Sequence, residues 1–165
     1  MATSSPVAAP LFREAMSRVA GAVHLIATDG PAGRAGLTAT AMTSVSDDPP
    51  SLLVCLNRAS RTGALLKANG AFSVNTLAAG QEPLADIFAG RTDLHGEARF
   101  AHGHWRPGPL GQPALADALA SFAVRVEDIR PVATHFVVIG VIAAIGLGPD
   151  RPGLVYRRRA YRPVA

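Results

Sequence analysis

The sequence predicts a mainly β domain, a barrel or sandwich of short antiparallel strands decorated by a few helices. Three observations point there. Short runs rich in Val, Ile, Leu and Phe recur at 23–27, 37–41, 52–56, 72–77, 122–128 and 136–145. Turn chemistry separates them, as in Asp29-Gly30-Pro31, Asp47-Asp48-Pro49-Pro50 and Arg130-Pro131. Only three stretches carry helical spacing, so strands outnumber helices. With 165 residues, 48% hydrophobic and 17% charged, the chain is long enough for one cored domain and far from a disordered composition.

Along the chain, residues 1–10 are small side chains with Pro6 and Pro10 and read as a loose arm, with the single domain running over 11–165. Leu11, Phe12, Met16, Val19 and Ala20 recur at helical spacing, interleaved with Arg13, Glu14 and Arg18, and Gly21 supplies a stop. Strands follow at 23–27, 37–41 and 52–56. Thr62–Asn69, closed by Gly70, then reads as a helix, and a strand follows at 72–77. The stretch from Gln81 to Ala89 presents Leu84, Ile87 and Phe88 on one helical face, with Gly90 behind it. Between 122 and 128, Phe122, Val124 and Val126 alternate with Ala123, Arg125 and Glu127, the mark of a half-buried antiparallel strand. Residues 90–113 break the pattern, with five glycines, three prolines, His95, His102, His104 and Trp105. So long a Gly/Pro-rich segment reads as a binding loop or lid.

Charge excludes one class of partner. The net charge is +4, and the last sixteen residues hold all of it, with Arg151, Arg157, Arg158, Arg159 and Arg162 against Asp150. The rest of the chain is neutral, so no basic face for nucleic acid is expected. The longest apolar stretch, 136–148, is too short to span a bilayer, and the N-terminus lacks the basic start and apolar core of a signal peptide, so no membrane partner is expected. The single Cys55 in an apolar run reads as a buried thiol in a cytoplasmic protein. No metal site is expected either, because the His102-x-His104 pair lacks a clear third ligand.

The chemistry-bearing residues gather in 36–62. Small residues and hydroxyls crowd one strand and the turn after it. Ala39 and Ala41 would let a flat ring approach the backbone, while Thr38, Thr40, Ser44 and Ser46 offer hydrogen bonds to carbonyls or phosphate. Asn57 closes an apolar strand, and Ser60-Arg61-Thr62 opens a helix whose N–H groups favour an anion. Dinucleotide GxGxxG, Walker, HExxH and GxSxG patterns are all absent.

The ordered segments FREAM (12–16), GLTATAMTSVSDDPP (36–50), LLVCLNRASRT (52–62), FSVNTLA (72–78), LADIFAG (84–90), HFVVIGV (135–141) and LVYRRRAY (154–161) resemble the short-chain flavin reductase family. The resemblance implies a Greek-key split β-barrel of the FMN-binding type, a homodimer, and hydride transfer from NADH or NADPH to FMN or FAD for a partner flavin-dependent monooxygenase. It places the isoalloxazine against Thr38, Ala39, Thr40 and Ala41. Ser44, Val45 and Ser46 would meet the flavin and its ribityl chain, and Asn57, Ser60, Arg61 and Thr62 the ribityl and phosphate end. His135 would position the nicotinamide, and Tyr156, Arg158 and Tyr161 match a C-terminal Y-x-R-x-x-Y. Four departures stand out: Ala133-Thr134 replaces the usual Gly-Asp before His135, Thr40 stands for a common Asn, Met42 for a common aromatic, and Arg159 for a usual Gly. Trp105 has two readings, a cap on flavin or partner and a filler of its own loop. A non-catalytic flavin-binding or electron-transfer protein on the same barrel is the alternative.

Overall fold

The computed structural model describes residues 6–165. The first helix, α1 (Ala9–Ser17), starts earlier than the spacing marks, because Pro10 sits in its first turn, where a missing N–H costs nothing. The expected arm therefore ends at Ala8, and residues 1–5 of it lie outside the described residues.

Seven strands form the main sheet, in the order β3 (Ala35–Ala39), β2 (His24–Thr28), β6 (Ala71–Thr76), β9 (Ala120–Val132), β10 (His135–Leu147), β5 (Pro50–Asn57) and β4 (Met42–Asp47). Every neighbouring pair is antiparallel. The two edge strands, β3 and β4, are separated in the chain only by Thr40 and Ala41. Two opposite edges can be that close only if the sheet curls until they nearly meet. The Met42 N–H donates back to the Thr40 carbonyl at 3.0 Å, making a tight bend where a closed barrel would have a ladder. No ladder joins the two edges, so the barrel is split along this seam.

The curled sheet is packed on both faces. Inside lie Ile26, Leu52, Val54, Leu56, Phe72, Val74, Val124 and Val138, with Leu66 of α2 (Arg61–Asn69). Outside, Val23, Leu25, Ala27 and Leu77 meet α3 (Glu82–Phe88), Phe100, Leu115 and Leu154. Successive β2 side chains feed the two cores in turn, so this strand is buried along its whole length and reads as an unbroken apolar run. Cys55 points away from the interior that Val54 and Leu56 fill, and it is half-buried rather than buried.

Residues 90–113, expected as a binding loop or lid, form a packed cap. A 3₁₀ turn (Gly96–Ala101) and a hairpin, β7 (Trp105–Pro107) with β8 (Pro113–Leu115), lie against α3. Phe88, Phe100 and Trp105 form a triangle with centroids 5.0–5.4 Å apart, so Trp105 fills its own loop. Buried Asn75 fastens this cap to the sheet. It accepts from the Leu115 N–H at 2.9 Å and from the Ser121 hydroxyl at 2.8 Å, and donates to the Leu25 carbonyl at 3.1 Å.

A small third layer closes the chain on itself. β1 (Gly21–Ala22), β11 (Gly153–Arg157) and β12 (Ala160–Val164) make one sheet. The hairpin turn between the last two is Arg158-Arg159, both left-handed, with φ 50° and 60°. That is the geometry for which Gly or Asn is preferred, which explains why glycine is the usual occupant where Arg159 stands.

Candidate functional site

The seam between β3 and β4 opens onto a cleft of about 180 Å³ lined by Thr38, Ala39, Thr40, Ala89, Arg91, Tyr156 and Tyr161. Beside it a more apolar recess of about 430 Å³ shares Thr40 and Tyr156 and adds Ala41, Gly21, Arg159 and the α1 side chains Phe12, Arg13 and Met16. Thr38, Thr40, Ala41 and Tyr156 are therefore brought together around the two recesses. The Thr38 hydroxyl is already used, donating to the Ala85 carbonyl at 2.7 Å, so it anchors α3 to the seam. What remains open at the seam is the exposed backbone around Thr40 and Ala41 and a surface of small side chains. That is the kind of cradle that admits a flat ring.

A second group lies at the far end of β5. The Ala41 carbonyl accepts from the Cys55 N–H at 3.0 Å, which sets the seam two residues from Asn57. Asn57 Oδ1 caps its own turn by accepting from the Ala59 N–H at 2.9 Å, and Ser60 is the N-cap of α2, accepting from the Thr62 N–H at 3.2 Å. Arg61 is exposed in the first turn and Thr62 is buried beneath it. His135 pairs directly with Asn57 across the β5–β10 ladder. The hairpin that carries it is tied down by Arg58, whose N–H bonds the Thr134 carbonyl at 3.0 Å and whose guanidinium bonds the Ala133 carbonyl at 3.1 Å. Ala133 sits at φ 47°, so its left-handed turn also asks for the Gly this chain lacks.

Ser44, Val45 and Ser46 stand apart from Asn57. Ser44 faces Leu52 across the ladder, about 17 Å along the strand from Asn57. The Ser46 hydroxyl is engaged locally, accepting from the Asp48 N–H and donating to its carbonyl, both at 3.0 Å. Ser44 and Ser46 rim the open mouth of the barrel, a mostly apolar cavity of about 500 Å³ that also contains Met42, Leu52, Phe122 and His24. His24 is 3% exposed and shares a 3.1 Å hydrogen bond between Nδ1 and the Thr76 hydroxyl. Burial pushes its pKa down to about 4, so the ring is neutral at physiological pH.

Arg158 is not brought to the cleft. Its N–H bonds the Ser17 carbonyl, and its side chain lines a separate recess with Arg157, Arg162 and Val155. The neighbouring arginines act alike: Arg157 Nε donates to the Arg18 carbonyl at 3.0 Å and Arg159 to Glu14 Oε2 at 3.1 Å. The basic run thus clamps the C-terminal end of α1, where cations and donors suit the orphan carbonyls. Of the loop histidines, His104 Nδ1 pairs with Asp117 at 2.8 Å, and among the described residues no group of three or more His, Cys, Asp or Glu is placed to hold a metal ion. No helix among the described residues is long and apolar enough to cross a membrane. Sequence reading missed two site residues. Arg91 follows directly on the LADIFAG segment and was not singled out, and His24 is hidden inside an apolar run.

The split antiparallel barrel, with its small-residue seam, aromatic cleft and capped helix N-terminus, shares its fold with solved flavin reductases. Residues 16–165 match the family model described as flavin reductase like domain. The chain is 52% identical over 157 residues to the FMN reductase (NADH) RutF of Methylorubrum extorquens (strain DSM 6343 / CIP 106787 / DM4), covering 95% of this chain and 76% of that protein. It is 48% identical over 154 residues to the FMN reductase (NADH) RutF of Cronobacter sakazakii (strain ATCC BAA-894), covering 93% and 92%. Its fold superimposes with a TM-score of 0.88 on BorF, the flavin reductase component of a bacterial two-component tryptophan halogenase, at 28% identity over 95% of this chain and 98% of that one. The chain belongs to the flavin reductase family.

Proposed function

We propose that this protein is an NADH-dependent FMN reductase that supplies reduced flavin to a separate flavin-dependent oxygenase. The observation that carries the reading is the pair of adjoining recesses at the seam, which share Thr40 and Tyr156 and lie on the segment Thr38–Ala41. Relatives bearing the name FMN reductase (NADH) at 52% and 48% identity support it. The residues present fit a flavin. Ala39 and Ala41 leave room beside the backbone, and a Cβ at Gly21 would come within 3.0 Å of the Thr40 side chain, so that wall stays low. The N-terminus of α2 with Ser60 and Arg61 suits a terminal phosphate, and FMN is therefore favoured over FAD as the first ligand to test.

When bound, FMN supplies the hydride acceptor and NADH the donor. The chain's own task is placement. Thr38–Ala41 carry one ring against backbone, Tyr156 borders both recesses, and exposed N–H groups at the seam can stabilise charge that gathers on a carbonyl of the ring. His135, exposed at the hairpin end and bonded through Nδ1 to the Thr134 hydroxyl at 2.9 Å, positions the nicotinamide amide rather than moving a proton. The site works in a cytoplasmic homodimer, formed over the exposed Leu11, Phe12, Met16 and Val45 and the open barrel mouth, which a monomer leaves uncovered. The domain is residues 11–165.

The test is anaerobic incubation of the purified chain with FMN and NADH while the visible flavin band is followed, with FAD and NADPH in parallel arms. Catalysed bleaching with FMN and NADH is the expected result. Flavin binding without bleaching by either nucleotide would establish the non-catalytic flavin-binding reading instead.

A further inference from the structure

The clamp on α1 uses only part of the C-terminal arginine run. The last sixteen residues carry the whole net charge of +4. Arg157 bonds the neutral Arg18 carbonyl through Nε, and Arg158 reaches Ser17 only through its backbone N–H. Among the described residues, no carboxylate lies within ion-pair distance of Arg157, Arg158 or Arg162. These three side chains nevertheless line one recess of about 490 Å³, together with Ala20, Val155 and Val164.

Strand register explains the grouping. Val155 of β11 stands between Ala22 of β1 and Arg162 of β12 across the two ladders, and Arg157 lies two residues further along β11. Alternation puts all four on one face of the small sheet. Tyr156 and Tyr161 pair on the opposite face, where they line the cleft. Val164 is 48% exposed, and Ala20 and Ala22 are also open to solvent. The outer face is therefore an apolar floor rimmed by three cations, with one sheet between it and the cleft.

Like charges gathered without a counter-charge repel one another, and an anionic partner relieves that repulsion. A lone inorganic anion would answer the rim and leave the floor uncovered. A nucleic acid needs a longer basic track, and the rest of this chain is neutral. We propose that the outer face of the β1–β11–β12 sheet is a docking surface for an acidic segment of another protein, whose carboxylates meet Arg157, Arg158 and Arg162 and whose apolar side chains cover Val155 and Val164. Arginine suits this task, because its planar fork takes a carboxylate in two bonds. A protein seated there leaves the cleft on the other face open.

The probe is a fluorescent peptide of glutamates flanking leucines, and its Kd for the full chain is read by fluorescence anisotropy at low ionic strength. The double substitution Arg158→Gln with Arg162→Gln should weaken binding about tenfold. Arg106→Gln with Arg125→Gln removes the same charge from exposed positions elsewhere and should change it less than twofold. Serine in place of the peptide's leucines should weaken binding about threefold, the share of the floor. Arg162→Gln alone, with a loss of about threefold, serves if the double variant does not fold. A wild type that ignores the peptide, or equal weakening by both pairs of substitutions, would overturn the proposal. So would tighter binding of inorganic tripolyphosphate or of a single-stranded oligonucleotide through the same arginines, and so would a double variant with an altered oligomeric state, which would mean that a second copy covers this face. No readout involves NADH or FMN, so failure here and failure of the flavin reductase reading are seen separately.

Discussion

Acidification should destabilise this protein chiefly through His24. The ring is buried at the barrel mouth with only the Thr76 hydroxyl as a hydrogen-bond partner, and desolvation lowers its pKa from the ordinary 6.5 to about 4. A histidine whose folded pKa is depressed binds its proton more readily in the unfolded chain. Its favourable contribution is therefore complete above pH 6.5 and is lost as the pH falls from there towards 4. Each unit of difference is worth about 1.4 kcal/mol, so the loss on reaching pH 4 is about 3 kcal/mol, a large share of the stability of a typical domain. Denaturant midpoints measured from neutral pH down to pH 4 should fall steeply for the wild type and much less for His24→Gln, which keeps a polar partner for Thr76 but does not titrate. Glu14 also loses a favourable contribution in acid, since its bond to Arg159 lowers its pKa, but it does so equally in both proteins and cancels in the comparison. Parallel curves for the two proteins would refute the assignment to His24.

Two further substitutions test the backbone of the barrel. Ala133→Gly should relieve a left-handed residue worth about 1–2 kcal/mol and give back about 0.5–1 kcal/mol in chain flexibility. The net expectation is a higher denaturant midpoint, and a lower one would show that the turn is not under tension. Gly140→Ala should do the reverse. A Cβ there collides with Val124 Cγ1 and comes within 2.8 Å of the Arg125 carbonyl, at a register shift in the β9–β10 ladder, so a loss of about 2–3 kcal/mol is expected. A Gly140→Ala protein with wild-type stability would mean that the ladder can shift freely.

What could be read from the sequence follows from where each strand lies. The central strands β2, β5 and β6 announce themselves because both of their faces, or one face throughout, are buried among apolar side chains. β4 does not, because it is an edge strand whose Thr43, Ser44, Val45 and Ser46 are exposed, and hydroxyl-rich residues before Asp-Asp-Pro-Pro read equally well as a turn. β11 and β12 are obscured by the arginine run that forms the turn between them. At the site, Thr38–Ala41 and Tyr156 emerge from the family resemblance, and they line two adjoining recesses. Arg158 carries the same motif-level signal, yet its side chain lines a separate recess with Arg157, Arg162 and Val155 and not the cleft with Tyr156 and Tyr161. Arg91 carries no local signal at all, since the side chains it contacts, Asp86, Tyr156 and Tyr161, come from three separate elements.

The clamp of Arg157–Arg159 on α1 sets an order of events during synthesis. Glu14 and Arg159 are 145 residues apart, so the first helix is made long before the turn that receives it. At roughly 5–20 residues per second, translation leaves α1 without its anchor for roughly 7–30 s. Throughout that interval Leu11, Phe12 and Met16 are on offer to whatever else is nearby, which makes α1 a natural place for a chaperone to bind before the turn arrives.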